Sequence, residues 1–82
     1  MSDANQLDDA IRLGLGLPAD VDVTAIAYGR TEQWDSVAHM QLVVAVEDAF
    51  GIMIETDDVI AMSSYQEILR ILREHHGLLV EA

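Results

Sequence analysis

The sequence predicts an all-α fold: a four-helix antiparallel bundle with a long loop between helices 1 and 2 and a short helix 3. Two observations carry this prediction. Apolar residues make up 51% of the chain and recur mainly at helical spacing, as a buried stripe on a helix requires. Helix punctuation also falls between those stripes: Gly14, Gly16 and Pro18, then Asp35-Ser36, Gly51, Ser64 and Gly77. With 82 residues the chain has room for one domain, residues 1–82, with a tail from about 78 to 82.

Leu7, Ile11 and Leu15 recur at i, i+4 and i+8 with Ala10 beside them, which defines helix 1. Ser2 or Asp3 can cap its start, and Gly14, Gly16 and Pro18 are expected to end it near Leu15. Residues 17–35 then form a long connection. Val21, Val23, Ile26 and Tyr28 are expected to pin it onto the core, since a loop of this length in a small domain is functional or packed by its own side chains. Trp34 either anchors this loop or meets partners. Helix 2 is expected from Ser36 to Phe50, stopped by Gly51, with Ile52 and Ile54 following as core contacts. Thr56 is expected to cap a short helix 3 that runs through Ala61, with Asp57 and Asp58 in the first turn, where the helix dipole favours negative charge. Ser64 and Glu67 read as a capping box for helix 4. Tyr65, Ile68, Leu69 and Leu72 form its core stripe, and Gly77 its stop.

The charge balance limits the partners. Four basic residues, all arginine, stand against 15 acidic ones, a formal charge of −11. Such a charge repels nucleic-acid backbones and anionic membrane surfaces and suits partners with basic patches. Between Thr31 and Asp58 lie Glu32, Asp35, Glu47, Asp48, Glu55, Asp57 and Asp58 without an arginine or lysine, so the charge gathers around helices 2 and 3. Cysteine is absent, which excludes disulfides, a thiol nucleophile and Cys-ligated metal. No basic leader followed by an apolar run opens the sequence, and no stretch approaches membrane-spanning length. A soluble, cytoplasmic monomer is expected, without metal.

Helix 2 is apolar on two sides. Leu42, Val43, Val46 and Phe50 form a core stripe, while Val37, Met40 and Val44 fall roughly opposite, in the sector of Gln41, Glu47 and Asp48. Three other helices cannot surround it in a chain this short, so the second side is expected to face water as an apolar strip edged by carboxylates. A helix that docks a partner needs such a strip.

Asp35-Ser36 sits where the long loop meets helix 2. Both residue types cap helices well, and a capping role alone would explain them. Ser36 has no evident activating base: His39, three residues on, falls on the core side of the wheel, and no G-x-S-x-G elbow is present. A helix N-terminus does, however, suit a phosphate group.

The run from Asp35 to Ile54, DSVAHMQLVVAVEDAFGIMI, resembles the phosphopantetheine-attachment region of acyl carrier proteins. That family's pattern is D-S-[LM]-x-x-[VM]-x-L-[VI]-x-x-[LV]-E-x-x-F-x-[IV]-x-[IF], and the spacing agrees throughout. The resemblance implies a four-helix carrier without catalysis of its own. Ser36 would be the attachment site of 4′-phosphopantetheine, and Asp35 its motif partner in recognition by a phosphopantetheinyl transferase. Val37, Met40, Gln41, Val44, Glu47 and Asp48 would form the recognition surface. The implied partners are that transferase, an acyl- or aminoacyl-loading ligase or transferase, and a downstream synthase or transferase. Val37 departs from the usual Leu or Met, and Gln41 stands where fatty-acid carriers commonly have Glu. Trp34-Asp35 differs from the Gly-His of many peptidyl carriers. A discrete carrier in a specialised lipid or polyketide-like pathway fits these departures better than the housekeeping fatty-acid carrier.

The rivals are an acidic helical adaptor in which Ser36 is only a cap, an aminoacyl or peptidyl carrier, and a small hydrolase using Ser36. His75 and His76 read as cations at a helix C-terminus. Met53 and Met62 read as adaptable core filler, or as lining for an acyl chain.

Overall fold

The computed structural model describes residues 3–78, and side chains over 5–78. Four α-helices follow one another: α1 (Asp3–Leu15), α2 (Ser36–Phe50), α3 (Thr56–Ala61) and α4 (Tyr65–His76). The described residues contain no β-strand, only an isolated bridge between Ala27 and Ser64. No helix among them is long and apolar enough to cross a membrane. Ser2, one of the two residues expected to cap α1, lies outside the described residues, as do residues 79–82; Asp3 is the first residue of α1.

The helical stripes meet in one core. Leu7 and Ile11 of α1, Leu42 and Val46 of α2, and Ile68 and Leu72 of α4 are fully buried. Ile71, outside the stripe read from the sequence, joins them at 1% exposure. Three helices end alike. Gly16, Gly51 and Gly77 adopt positive φ of 67°, 65° and 66°, a conformation that glycine reaches without a Cβ clash. The next amide then turns back to the last turn: Leu17 to the Arg12 carbonyl at 3.0 Å, Ile52 to Glu47 at 3.1 Å and Leu78 to Leu72 at 2.9 Å. Leu17 is buried, and Ile52 and Leu78 pack against the core, so each stop also fixes an apolar contact. Leu78 therefore belongs to the α4 terminus and not to a tail.

Gly14 does not help to stop α1 but lies inside it. A Cβ there would fall 2.6 Å from the Leu42 Cα and 3.1 Å from the Gln41 carbonyl oxygen. The missing side chain lets α1 and α2 approach at backbone distance. Thr56 is likewise the first residue of α3 and not its cap. Glu55 holds the cap position without a side-chain hydrogen bond, leaving the start of this six-residue helix weakly capped. Ser64 caps α4 by accepting from the Glu67 amide at 3.2 Å. The Glu67 carboxylate pairs with Arg70 at 2.9 Å and with it leaves the reciprocal half of a capping box.

The long connection is anchored by Val23, Ile26 and Trp34, all buried, with Val21 packed beside them. A 3-10 turn at Val23–Ala25, not anticipated from the sequence, is capped by Asp22, whose carboxylate accepts from the Thr24 amide and hydroxyl. Those bonds hold the Asp22 carboxyl below its ordinary range. Tyr28, expected to pin the loop, is 44% exposed. Trp34 takes that place because its larger apolar surface gains more from burial.

Candidate functional site

Residues 27–34 form a compact hydrogen-bonded loop that delivers Asp35 and Ser36 to the head of α2. The Ala27 carbonyl accepts from the Arg30 and Thr31 amides, and the Thr31 carbonyl accepts from the Trp34 amide at 2.9 Å. The Tyr28 amide donates to the Ser63 carbonyl at 2.9 Å, which ties this loop to the junction of α3 and α4.

At the head of α2 the two candidate capping residues take different parts. Asp35 is the cap: its backbone is extended and Oδ1 accepts from the Ala38 amide at 2.8 Å. Ser36 is the first helical residue and is exposed. Its hydroxyl makes no hydrogen bond among the described residues, and the amides of Ser36 and Val37 have no intrahelical acceptor.

Ser36 stands between two hollows. One, of about 520 Å³, is walled mainly by Tyr28, His39, Met40, Val59, Ile60 and Met62. The other, of about 420 Å³, is more polar and is shared by Ser36, Asp35, Arg30, Thr31 and Glu32. Arg30 lies outside the acidic stretch in sequence, yet it brings a cation to the hollow that holds Ser36.

His39 is half-buried and engaged at both ring nitrogens. Trp34 Nε1 donates to Nδ1 at 2.9 Å, and Nε2 lies 2.7 Å from the Val59 carbonyl oxygen. The His39 and Trp34 rings stack at 20° with centroids 6.0 Å apart, and Tyr28 meets both rings edge-on. With its lone pair taken by the indole, His39 has none to accept the Ser36 proton.

The second side of α2 faces water. Val37, Met40 and Val44 are 68%, 54% and 52% exposed, and Gln41 and Asp48 are exposed among them. Leu13 of α1, 80% exposed, lines a groove of about 460 Å³ with Met40, Gln41, Val44 and Asp48. Ile60 of α3 and Met53 of the preceding link are 75% and 85% exposed. Met62 is core filler at 1% exposure; Met53, outside on the extended link, is not. Leu13 sits off the 7-11-15 stripe, a signal that could have marked it as outward-facing.

Glu47 is half-buried, and its Oε2 accepts from the Ile54 amide at 2.8 Å. It thereby fastens the α2–α3 link, so Asp48 offers the freer carboxylate at this end of the strip. His75, read as a helix-end cation, places Nδ1 2.8 Å from Oδ2 of the buried Asp58 and so clasps α3 to α4. His76 Nε2 is buried and has no hydrogen-bond partner among the described residues. Among the described residues no group of three or more His, Asp or Glu side chains is placed to hold a metal ion.

Comparison of the chain with protein-family models, with curated proteins and with solved structures finds no match.

Proposed function

We propose that this chain is an acyl-carrier-type domain, a four-helix antiparallel bundle that carries 4′-phosphopantetheine on Ser36. The observation that carries the reading is the division of labour at the head of α2. Asp35 supplies the cap, which leaves the Ser36 hydroxyl exposed and unbonded among the described residues, at the start of a run that resembles the attachment motif at every specified position but Val37. A serine needed as the cap would be masked; this one is presented.

The surroundings fit a phosphodiester. The unpaired amides and dipole at a helix N-terminus favour an anion, and Arg30 shares the polar hollow with Ser36. When attached, the arm supplies a terminal thiol that holds acyl or aminoacyl groups as thioesters. The protein's own residues present and recognise. Ser36 Oγ becomes the ester oxygen, and Asp35 holds the α2 start in register. Val37, Met40 and Val44 offer an apolar strip to the transferase, the loading enzyme and the downstream synthase, with Gln41 and Asp48 beside it. His39, its lone pair committed, leaves Ser36 without a base, which favours a carrier over a hydrolase.

Incubation with a phosphopantetheinyl transferase and coenzyme A, read by intact mass, tests the proposal. Wild type should gain one phosphopantetheinyl group and Ser36→Ala none. An unmodified wild type would leave an acidic helical adaptor as the better reading, and a modified alanine variant would remove Ser36 as the site.

A further inference from the structure

His39 joins three segments through two hydrogen bonds: the long loop through Trp34, α2 through its own backbone, and α3 through the Val59 carbonyl. The donors and acceptors leave one arrangement. An indole N–H can only donate and a carbonyl can only accept. Nδ1 must therefore carry the lone pair and Nε2 the proton. The ring is fixed further by stacking on Trp34.

The bond to Val59 matters because α3, though Val59 and Ala61 pack against the core, has few polar ties to hold it. It spans six residues, too few to persist by propensity alone. Its start has no side-chain cap, and Val59 lies among the last four residues, whose carbonyls lack full intrahelical partners. The Met62 amide reaches the Val59 oxygen only at 3.4 Å, against 2.7 Å for His39. Along its length α3 faces water with Ile60, at 75% exposure. A further side-chain clasp is His75 on Asp58, toward α4. Val59 and Ile60 form one wall of the hollow that Ser36 shares, and Met40 and His39 form the wall from α2.

We infer that His39, as the neutral Nε2–H tautomer, is the positioning residue that fixes α3 beside Ser36, so that Ile60 and the α2 strip meet the transferase as one preformed surface. The structural part of this inference stands on the hydrogen bonds; its consequence for loading rests on the carrier reading. Without the clasp, α3 opens locally, and the enzyme must order it on binding. The cost then falls on KM more than on kcat.

Three full-length variants separate the contributions. His39→Phe keeps an aromatic ring and removes both hydrogen bonds. His39→Gln can restore them, because its amide offers an acceptor and a donor about 2.2 Å apart, as the two imidazole nitrogens do. Trp34→Phe removes only the bond to Nδ1. Hydrogen exchange at the Val59 and Met62 amides, whose native bonds to the Glu55 and Val59 carbonyls close the two ends of α3, should quicken roughly tenfold in His39→Phe. Wild-type rates should return in His39→Gln, and a smaller increase should appear in Trp34→Phe. Transferase KM should rise severalfold in His39→Phe with kcat within twofold.

Unchanged α3 exchange in His39→Phe overturns the inference, and so does quickened exchange with unchanged KM. Should the phenylalanine variant not fold, nitrogen NMR of wild type decides at neutral pH: a lone-pair Nδ1 supports the inference, and a protonated Nδ1 overturns it. If wild type is not modified at all, the carrier reading and the loading consequence fall. The exchange comparison then still decides whether His39 positions α3.

Discussion

Tyr65 shows how a single buried hydroxyl ties stability to pH. Its ring is 7% exposed at the start of α4, and its OH donates to Asp8 Oδ1 at 3.0 Å. Burial first, and the Asp8 hydrogen bond second, push the phenol from 10.0 up to about 12. The folded state thus holds this proton more tightly than the unfolded chain. The stabilisation is complete below pH 10 and is lost as pH rises from there through about 12. Each pKa unit corresponds to about 1.4 kcal/mol, so the loss across the window is on the order of 2 kcal/mol. The chain has no lysine and no cysteine to titrate in this window, and Tyr28 is its one other tyrosine, so Tyr65→Phe isolates the contribution. Urea unfolding at pH 9 and pH 11 should show wild type losing stability and Tyr65→Phe losing clearly less. At pH 9 the variant should start about 1 kcal/mol lower, for the missing hydrogen bond. Equal alkaline losses in the two proteins would mean that Tyr65 ionises as freely folded as unfolded.

Residue-level roles were legible in the sequence where one residue type admits few functions in one place. Asp35-Ser36 marked the head of α2, and Gly51 and Gly77 marked two helix ends. The Trp34–His39–Val59 chain was not legible, because its last link joins residues 20 apart through a backbone oxygen that no side-chain pattern advertises. His75 with Asp58 and Glu47 with the Ile54 amide were hidden for the same reason. An acid read from sequence is a charge, whereas these two are fasteners. Tyr28 and Trp34 both suited a loop anchor, and only their packing separates them.

At the scale of elements, the contact of α1 with α2 sets the platform for the exposed strip. Gly14 reads as a helix breaker in the sequence but acts as a gap between backbones. In Gly14→Ala the gain in helix propensity, about 1 kcal/mol, competes with overpacking, which costs about 1–3 kcal/mol. The atoms in the way decide the sign. They are the Leu42 Cα at 2.6 Å, the Leu42 nitrogen at 3.0 Å and the Gln41 oxygen at 3.1 Å, all backbone, and none can swing aside as a side-chain tip would. The helices must separate, so Gly14→Ala should lower the urea midpoint without changing the slope. Gly16→Ala would meet no neighbour within 4 Å, yet the positive φ of 67° strains it, so it should destabilise through backbone conformation alone. A Gly14→Ala protein more stable than wild type would show that α1 can move off α2 freely. The helical periodicity delivered the elements and their stripes. It could not distinguish a glycine that ends a helix from one that lets two helices touch, because both look alike until the partner helix is placed.

Across the whole molecule the same negative charge acts in opposite directions on folding and on docking. With a formal charge of −11, self-repulsion weakens the compact state. Part of the acidic set between residues 31 and 58 is offset locally: Asp35 holds the Ala38 amide, Glu47 the Ile54 amide and Asp58 His75. Asp48 and Glu55 remain exposed. Screening lengths fall from roughly 10 Å at 0.1 M salt to about 3 Å at 1 M, so added sodium chloride should raise the melting temperature. For a domain of this size each kcal/mol of relief is worth about 4–8 °C. Docking to a basic enzyme surface, on the carrier reading, should weaken over the same range, because its long-range attraction is screened too. Salt should therefore raise melting temperature and transferase KM together. Asp48→Lys should flatten the salt dependence of KM and raise KM at low salt, while leaving the far-UV helical signal unchanged. Exposed charges are worth about 0–1 kcal/mol each, so the shift should be severalfold at most. Glu47 is unsuited to this test, since its carboxylate fastens the link to α3 and its loss would confound docking with stability. A KM indifferent to both salt and Asp48→Lys, beside a melting temperature that still rises with salt, would place the charge wholly in the energetics of folding and leave docking to Val37, Met40 and Val44.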